Sequence, residues 1–191
     1  MKIVAIGDSI TAGFPYTSRE SWTTRLAQEL KCEVINQGVN GDYTVGMRQR
    51  FKQDVLSYQP SHVIIMGGGN DAAVQMSPKN VQANFTDMVE MSRENGIIPV
   101  IGLPIPFLAP QGEDFLGLYR DWMRHYAAAE KIFTIDFYKP FMEKLDAGQR
   151  RNLYVDMGHP GREGYALMGE IAAEYFKRLL SVKRQLPEKS E

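Results

Sequence analysis

Lys2-Ile3-Val4-Ala5-Ile6-Gly7-Asp8-Ser9 opens the chain and decides its architecture. Four consecutive apolar residues, with no polar alternation, form a short strand covered on both faces, and such strands belong to parallel sheets. Four further runs have the same character, near Glu33–Asn36, His62–Met66, Ile97–Gly102 and Ile132–Ile135. Between them the apolar period changes to that of a helix. Val81, Phe85, Met88, Val89 and Ser92 share one face of a segment with Ser77 as expected N-cap and Pro78 at its first position. Tyr119, Trp122, Met123 and Tyr126 form a second stripe. Tyr165, Met168, Ile171, Ala172, Tyr175 and Leu179 form a third. Five strand–helix alternations predict an α/β fold: a three-layer α/β/α sandwich around a flavodoxin-like, five-stranded parallel sheet with right-handed crossovers.

The chain has 191 residues, enough for one substantial core, and no internal repeat or linker divides it. The expectation is a single domain over residues 1–180 and a polar C-terminal tail over 181–191. A net charge of −1, with acids and bases interspersed, argues against nucleic acid as a partner. The longest apolar runs, such as Ile97 to Leu103, are too short to span a bilayer. One lysine and four apolar residues before Gly7-Asp8 do not make a signal peptide, so a cytoplasmic protein is expected. Cys32 is the only cysteine, which excludes an internal disulfide and a multi-cysteine zinc site; a buried or half-buried structural thiol is expected there. No metal or cofactor is called for, and oligomeric state is not legible.

Ser9 follows the tip of the first strand, the end at which open α/β sheets do chemistry. It is either a nucleophile or a simple helix cap. It does not sit in a G-x-S-x-G elbow, since Gly7 precedes it by two but Thr11 follows by two. Of three histidines, His62 starts its strand at the far end of the sheet and His125 falls inside a helix. Both read as surface or edge residues. His159 instead occupies a Gly/Pro-rich loop with Asp156 three residues upstream, a spacing that lets the carboxylate fold back onto the imidazole. The alternative is an Asp/His pair that caps the last helix.

Two loops leave the sheet at the same end as Ser9: Asn36-Gln37-Gly38-Val39-Asn40-Gly41-Asp42 and Gly67-Gly68-Gly69-Asn70-Asp71. Glycine N–H groups and an asparagine amide are suitable donors to a developing oxyanion, although the same residues also build ordinary turns. Neither phosphate-loop nor dinucleotide pattern occurs. The connection from Pro104 to Gly112 carries Phe107-Leu108-Ala109 after a strand end, with Phe115 and Leu116 close by. It is a candidate lining for an apolar ligand, and Tyr16 and Trp22 are an alternative platform for a sugar.

Gly7-Asp8-Ser9-Ile10-Thr11, Gly41, Gly68-Gly69-Asn70-Asp71 and Asp156-Met157-Gly158-His159 resemble, in order, the four sequence blocks of the SGNH hydrolases, or GDSL esterases/lipases. The resemblance runs from Met1 to about Leu180. It implies the SGNH hydrolase fold, with Ser9 as nucleophile, His159 as general base and Asp156 orienting it. It further implies an oxyanion hole made by the Ser9 and Gly41 N–H groups and the Asn70 side chain. Asp8 and Asp71 become loop-fixing carboxylates, and Asp136 is a weaker rival to Asp156. Phe107, Leu108 and Met157 are the expected pocket residues; Met157 stands where the family often has a small side chain. The implied activity is hydrolysis of small-molecule esters or thioesters with short to medium acyl chains, without metal or cofactor. Carbohydrate O-deacetylation and a non-catalytic flavodoxin-like binding module are the alternatives.

Overall fold

The computed structural model describes residues 1–185. Its strands are β1 (Lys2–Gly7), β2 (Glu33–Gly38), β3 (His62–Met66), β4 (Ile98–Leu103) and β5 (Phe133–Asp136). All pair in parallel in the order β2-β1-β3-β4-β5. The helices are α1 (Ser9–Ala12), α2 (Trp22–Leu30), α3 (Thr44–Asp54), α4 (Gly69–Ala73), α5 (Pro78–Glu94), α6 (Pro110–Ala129), α7 (Tyr138–Asp146), α8 (Arg150–Leu153) and α9 (Arg162–Gln185). The sandwich read from the sequence is therefore present. Four strands extend or shift by one or two residues towards their carboxyl ends.

Each central strand feeds two cores. Val4, Ile6, Val63, Ile65 and Ile101 point to a layer built by α3, α5 and α6. Ile3, Ala5, Ile64, Met66 and Val100 point to the opposite layer, with α2, α7 and α9. A strand buried on both sides must be apolar throughout, which is why these runs do not alternate. The α5 stripe is buried as expected at Val81, Phe85, Met88, Val89 and Ser92. On α6, Tyr119 and Met123 are buried, while Trp122 and Tyr126 are half-buried and stack on each other at 4.7 Å.

Two expectations need correction. Ser77 makes no side-chain cap; the N–H groups of Asn80 and Val81 bond to its backbone carbonyl instead. His62 is not a surface residue: it is 5% exposed, with Nδ1 2.9 Å from Ser61 Oγ and its ring edge-on to Phe176. α9 continues to Gln185; residues 186–191 of the expected polar tail lie outside the described residues. Among the described residues no helix is long and apolar enough to cross a membrane. Cys32 is half-buried and unpaired, and burial raises its thiol pKa.

The order of the strands places a crevice between the carboxyl ends of β1 and β3. There the chain reverses its direction of travel across the sheet, and ligands of open α/β sheets bind at such points.

Candidate active site

β1 ends at Gly7, where a Cβ would lie 2.5 Å from the Met66 carbonyl oxygen, so only glycine fits between β1 and β3. Asp8 then caps α1, its Oδ1 accepting the Ile10 N–H at 2.9 Å. The Ser9 carbonyl accepts from Gly13 N (2.9 Å) and Phe14 N (3.0 Å), closing a single tight turn. Gly13, at φ 103°, occupies the left-handed conformation that ends it. Capping thus falls to Asp8, and the Ser9 hydroxyl is left to other partners.

That partner is His159. Ser9 Oγ lies 2.9 Å from Nε2, and His159 Nδ1 lies 2.8 Å from Asp156 Oδ2. An ionised carboxylate only accepts, so the imidazole proton sits on Nδ1 and Nε2 accepts from the serine hydroxyl. Burial pulls the Asp156 pKa upward. The N–H groups of Gly158 and His159, both donating to Oδ1, and the imidazole outweigh it, holding the carboxyl below the usual carboxylate range. Those acceptor bonds stay within the loop ahead of α9, so the pair does not cap that helix. Val155 N–H donates to the His159 carbonyl at 3.0 Å and closes the loop. Phe14, from the Ser9 turn, packs its ring 4.7 Å from the imidazole. His125 is exposed and bonded to the Asp121 carbonyl. Asp136 caps α7 through the N–H groups of Tyr138 and Lys139, away from any histidine contact.

The two glycine/asparagine loops meet beside Ser9. Asn70, in α4, donates from Nδ2 to the Asp42 carbonyl at 2.8 Å. Gly41, one residue earlier, has φ 76° and is exposed. Buried Asp71 accepts from Thr44 N (3.0 Å) and Thr44 Oγ1 (2.8 Å), joining α4 to the start of α3. Asp8 is 3% exposed, and desolvation raises its pKa to about 6, with Asp71 and Asp42 adding to the rise and His159 opposing it.

Sequence reasoning missed Arg50. Its guanidinium donates to the Gly7 carbonyl (2.9 Å), the Gln37 carbonyl (2.9 Å) and Asp42 Oδ2 (2.8 Å). One side chain therefore ties together the ends of β1 and β2 and the loop that Asn70 holds.

Ser9, Asn70 and His159 border a cavity of about 110 Å³ whose walls include Ile10, Met66, Ile105, Phe107 and Leu116. Its size is of the order of the ~150 Å³ apolar cavities that admit a benzene ring. Of the three expected pocket residues only Phe107 lines it. Leu108 packs with the α7/α9 core, and Met157 is 43% exposed with its sulfur beside Arg150. Trp22 is wholly buried and Tyr16 lies beneath the Arg162 guanidinium, and neither borders the cavity. Gly41 and Asp156 do not border the cavity; Asp156 meets it only through His159. A hydroxyl, a base holding the correct tautomer and an apolar recess in contact with both are the parts that acyl transfer needs. Among the described residues no group of acidic, histidine or cysteine side chains is arranged to hold a metal.

Comparison with known proteins agrees. The model of the GDSL-like lipase/acylhydrolase family matches residues 5–167. A G-D-S-L family protein from Desulfitobacterium hafniense superposes with a TM-score of 0.82 at 34% identity, covering 91% of this chain and 98% of that one. An arylesterase of Vibrio mimicus is 25% identical over 91% of this chain and 86% of its own length. An uncharacterised lipoprotein of Bacillus subtilis is 33% identical over 66% of this chain; the match spans 56% of that protein's length.

Proposed function

Because the chain belongs to the GDSL-like lipase/acylhydrolase family and is an ester hydrolase of that family, we propose that it cleaves esters of short to medium acyl chains through an acyl-enzyme on Ser9. The observation that carries this reading is the unbroken relay Ser9–His159–Asp156, at 2.9 and 2.8 Å, opening on a small apolar cavity. His159 Nε2 takes the hydroxyl proton as Ser9 Oγ attacks the ester carbonyl. Asp156 keeps Nδ1 protonated and offsets the imidazolium charge. The proton then passes from Nε2 to the leaving alcohol as the carbonyl–oxygen bond breaks. Water, deprotonated by the same nitrogen, releases the acid and restores Ser9.

The tetrahedral oxyanion is stabilised by the Ser9 N–H, the Gly41 N–H and Asn70. An amide nitrogen has two protons. Asn70 uses one on the Asp42 carbonyl, which fixes the side chain and leaves the second for the oxyanion. Ser9 is the first residue of α1, where an N–H has no acceptor within the helix. A cavity of this size favours short acyl groups over long ones, and the likeness to an arylesterase of Vibrio mimicus supports an ester as substrate.

The test is hydrolysis of p-nitrophenyl acetate, butyrate, octanoate and palmitate by the wild type and Ser9→Ala. Turnover falling from butyrate to palmitate, and lost by at least about 10⁴-fold in the variant, is expected. Equal rates for the two proteins, with no labelling of the wild type by a fluorophosphonate, would remove Ser9 from the mechanism.

A further inference from the structure

Glu113 and Arg120 lie seven residues apart on α6, two turns of one helix, and both reach the loop of residues 104–109. Arg120 is 2% exposed, forms an ion pair with Glu113 and stacks 4.1 Å over the Tyr138 ring. Its Nη1 is 3.5 Å from the Ile105 carbonyl, and Glu113 Oε2 accepts the Phe107 N–H at 2.7 Å. Arg120 is buried but the Glu113 side chain is 28% exposed. An ion pair taken partly out of water is weak as a source of stability, since apolar residues of the same volume often serve equally well. What such residues would lack is this hold on the backbone at Ile105 and Phe107.

The held segment reaches the base. The Phe107 ring is wedged between two glycines: a Cβ would lie 2.2 Å from it at Gly112 and 2.3 Å at Gly158. Leu108 N–H donates to the Met157 carbonyl at 2.7 Å, and the Tyr154 hydroxyl donates to the Pro106 carbonyl at 2.8 Å. Three consecutive residues, 106 to 108, thus touch the segment that leads into His159. One wall of the cavity and the loop carrying the base form one body, pinned to α6 by the Glu113–Arg120 charge pair.

We propose that Glu113 and Arg120 are positioning residues that set, through Phe107, both the acyl length admitted to the cavity and the placement of His159. The inference rests on the acyl-transfer reading above. Its test compares kcat/KM for p-nitrophenyl octanoate and butyrate, with the rate of fluorophosphonate labelling, in four proteins: wild type, Phe107→Ala, the pair Glu113→Leu with Arg120→Met, and Tyr154→Phe. Phe107→Ala is expected to raise the octanoate-to-butyrate ratio by about tenfold or more, the range for a few methylenes in an apolar pocket. The paired variant is expected to raise it similarly and to slow labelling. Tyr154→Phe, which deletes one hydroxyl, should shift both in the same direction by about threefold. A merely structural role would lower the melting temperature and leave the ratio unchanged. That outcome overturns the inference, and Tyr154→Phe decides alone if the paired variant does not fold. A wild type that neither turns over an ester nor labels brings down the acyl-transfer reading and the inference together; normal wild-type turnover with unmoved ratios brings down the inference only.

Discussion

Asp8 is taken out of water one residue before Ser9, and its carboxyl pKa is raised from 3.8 to about 6 by burial. The folded protein therefore binds this proton more tightly than the unfolded chain. Below about pH 4 the group is neutral in both states and the desolvation penalty is absent; above about pH 6 the penalty is complete. Two pKa units correspond to roughly 3 kcal/mol. Asp8→Asn keeps an oxygen acceptor for the Ile10 N–H and carries no charge. It should raise the melting temperature relative to wild type by several degrees more at pH 8 than at pH 4, taking about 2–4 °C per kcal/mol for a domain of this size. Melts at the two pH values check this, and an equal difference at both would refute it. Ser9, Asp156 and His159 stood out as candidates because each lies at a strand end or in a loop whose spacing is local, and the resemblance to the SGNH hydrolases singled them out from the helix-cap alternatives. Arg50, Glu113 and Arg120 were not. Charged residues at ordinary helical spacing look like a solvated face, and only the packing of distant segments shows that these three reach backbone groups of other elements. Met157 misled for a related reason: Gly158 lies against the Phe107 ring and the Met157 carbonyl is taken by Leu108, with the side chain left outward.

Strand ends, more than strand middles, build the site. β2 extends to Gly38, two residues past the expected Asn36, and there meets α1 so closely that a Cβ would fall 2.0 Å from Ala12 N. The apolar pattern marks where a strand is covered, not where its hydrogen bonding stops, so Gln37 and Gly38 read as loop while still pairing with β1. Arg50 fastens this region by reaching β1, β2 and the Asp42 loop from α3. A lysine keeps the charge but not the fork that serves several acceptors at once. Arg50→Lys should lose about 2 kcal/mol of stability, the scale of charge-assisted hydrogen bonds, and lower kcat about tenfold with little change in KM. Steady-state kinetics beside a thermal melt separate the two effects. A lowered melt with unchanged kcat would show that Arg50 braces the fold without positioning Ser9 or Asn70.

The molecule as a whole is two apolar layers that share one sheet, and the cavity lies on the seam between them. Met66 and Ile105 reach it from the layer of α2, α7 and α9, and Leu116 reaches it from that of α3, α5 and α6. Neither layer has a sheet of its own, because each central strand contributes alternate residues to both. Loss of either layer exposes the inner strands and must also open the site. Phe85 and Phe176 are fully buried on opposite faces and belong to separate clusters. Truncating either to alanine should remove about 3–5 kcal/mol. The two losses should nearly add, since the sheet separates the residues and they share no partners. Each variant, and the double variant where it still folds, should melt in one transition, with ester hydrolysis disappearing over the same temperatures as the helical signal. Two resolved transitions, or activity that outlasts the helical signal in Phe176→Ala, would mean that one layer stands without the other. The crevice between β1 and β3 would then be held by half of the fold.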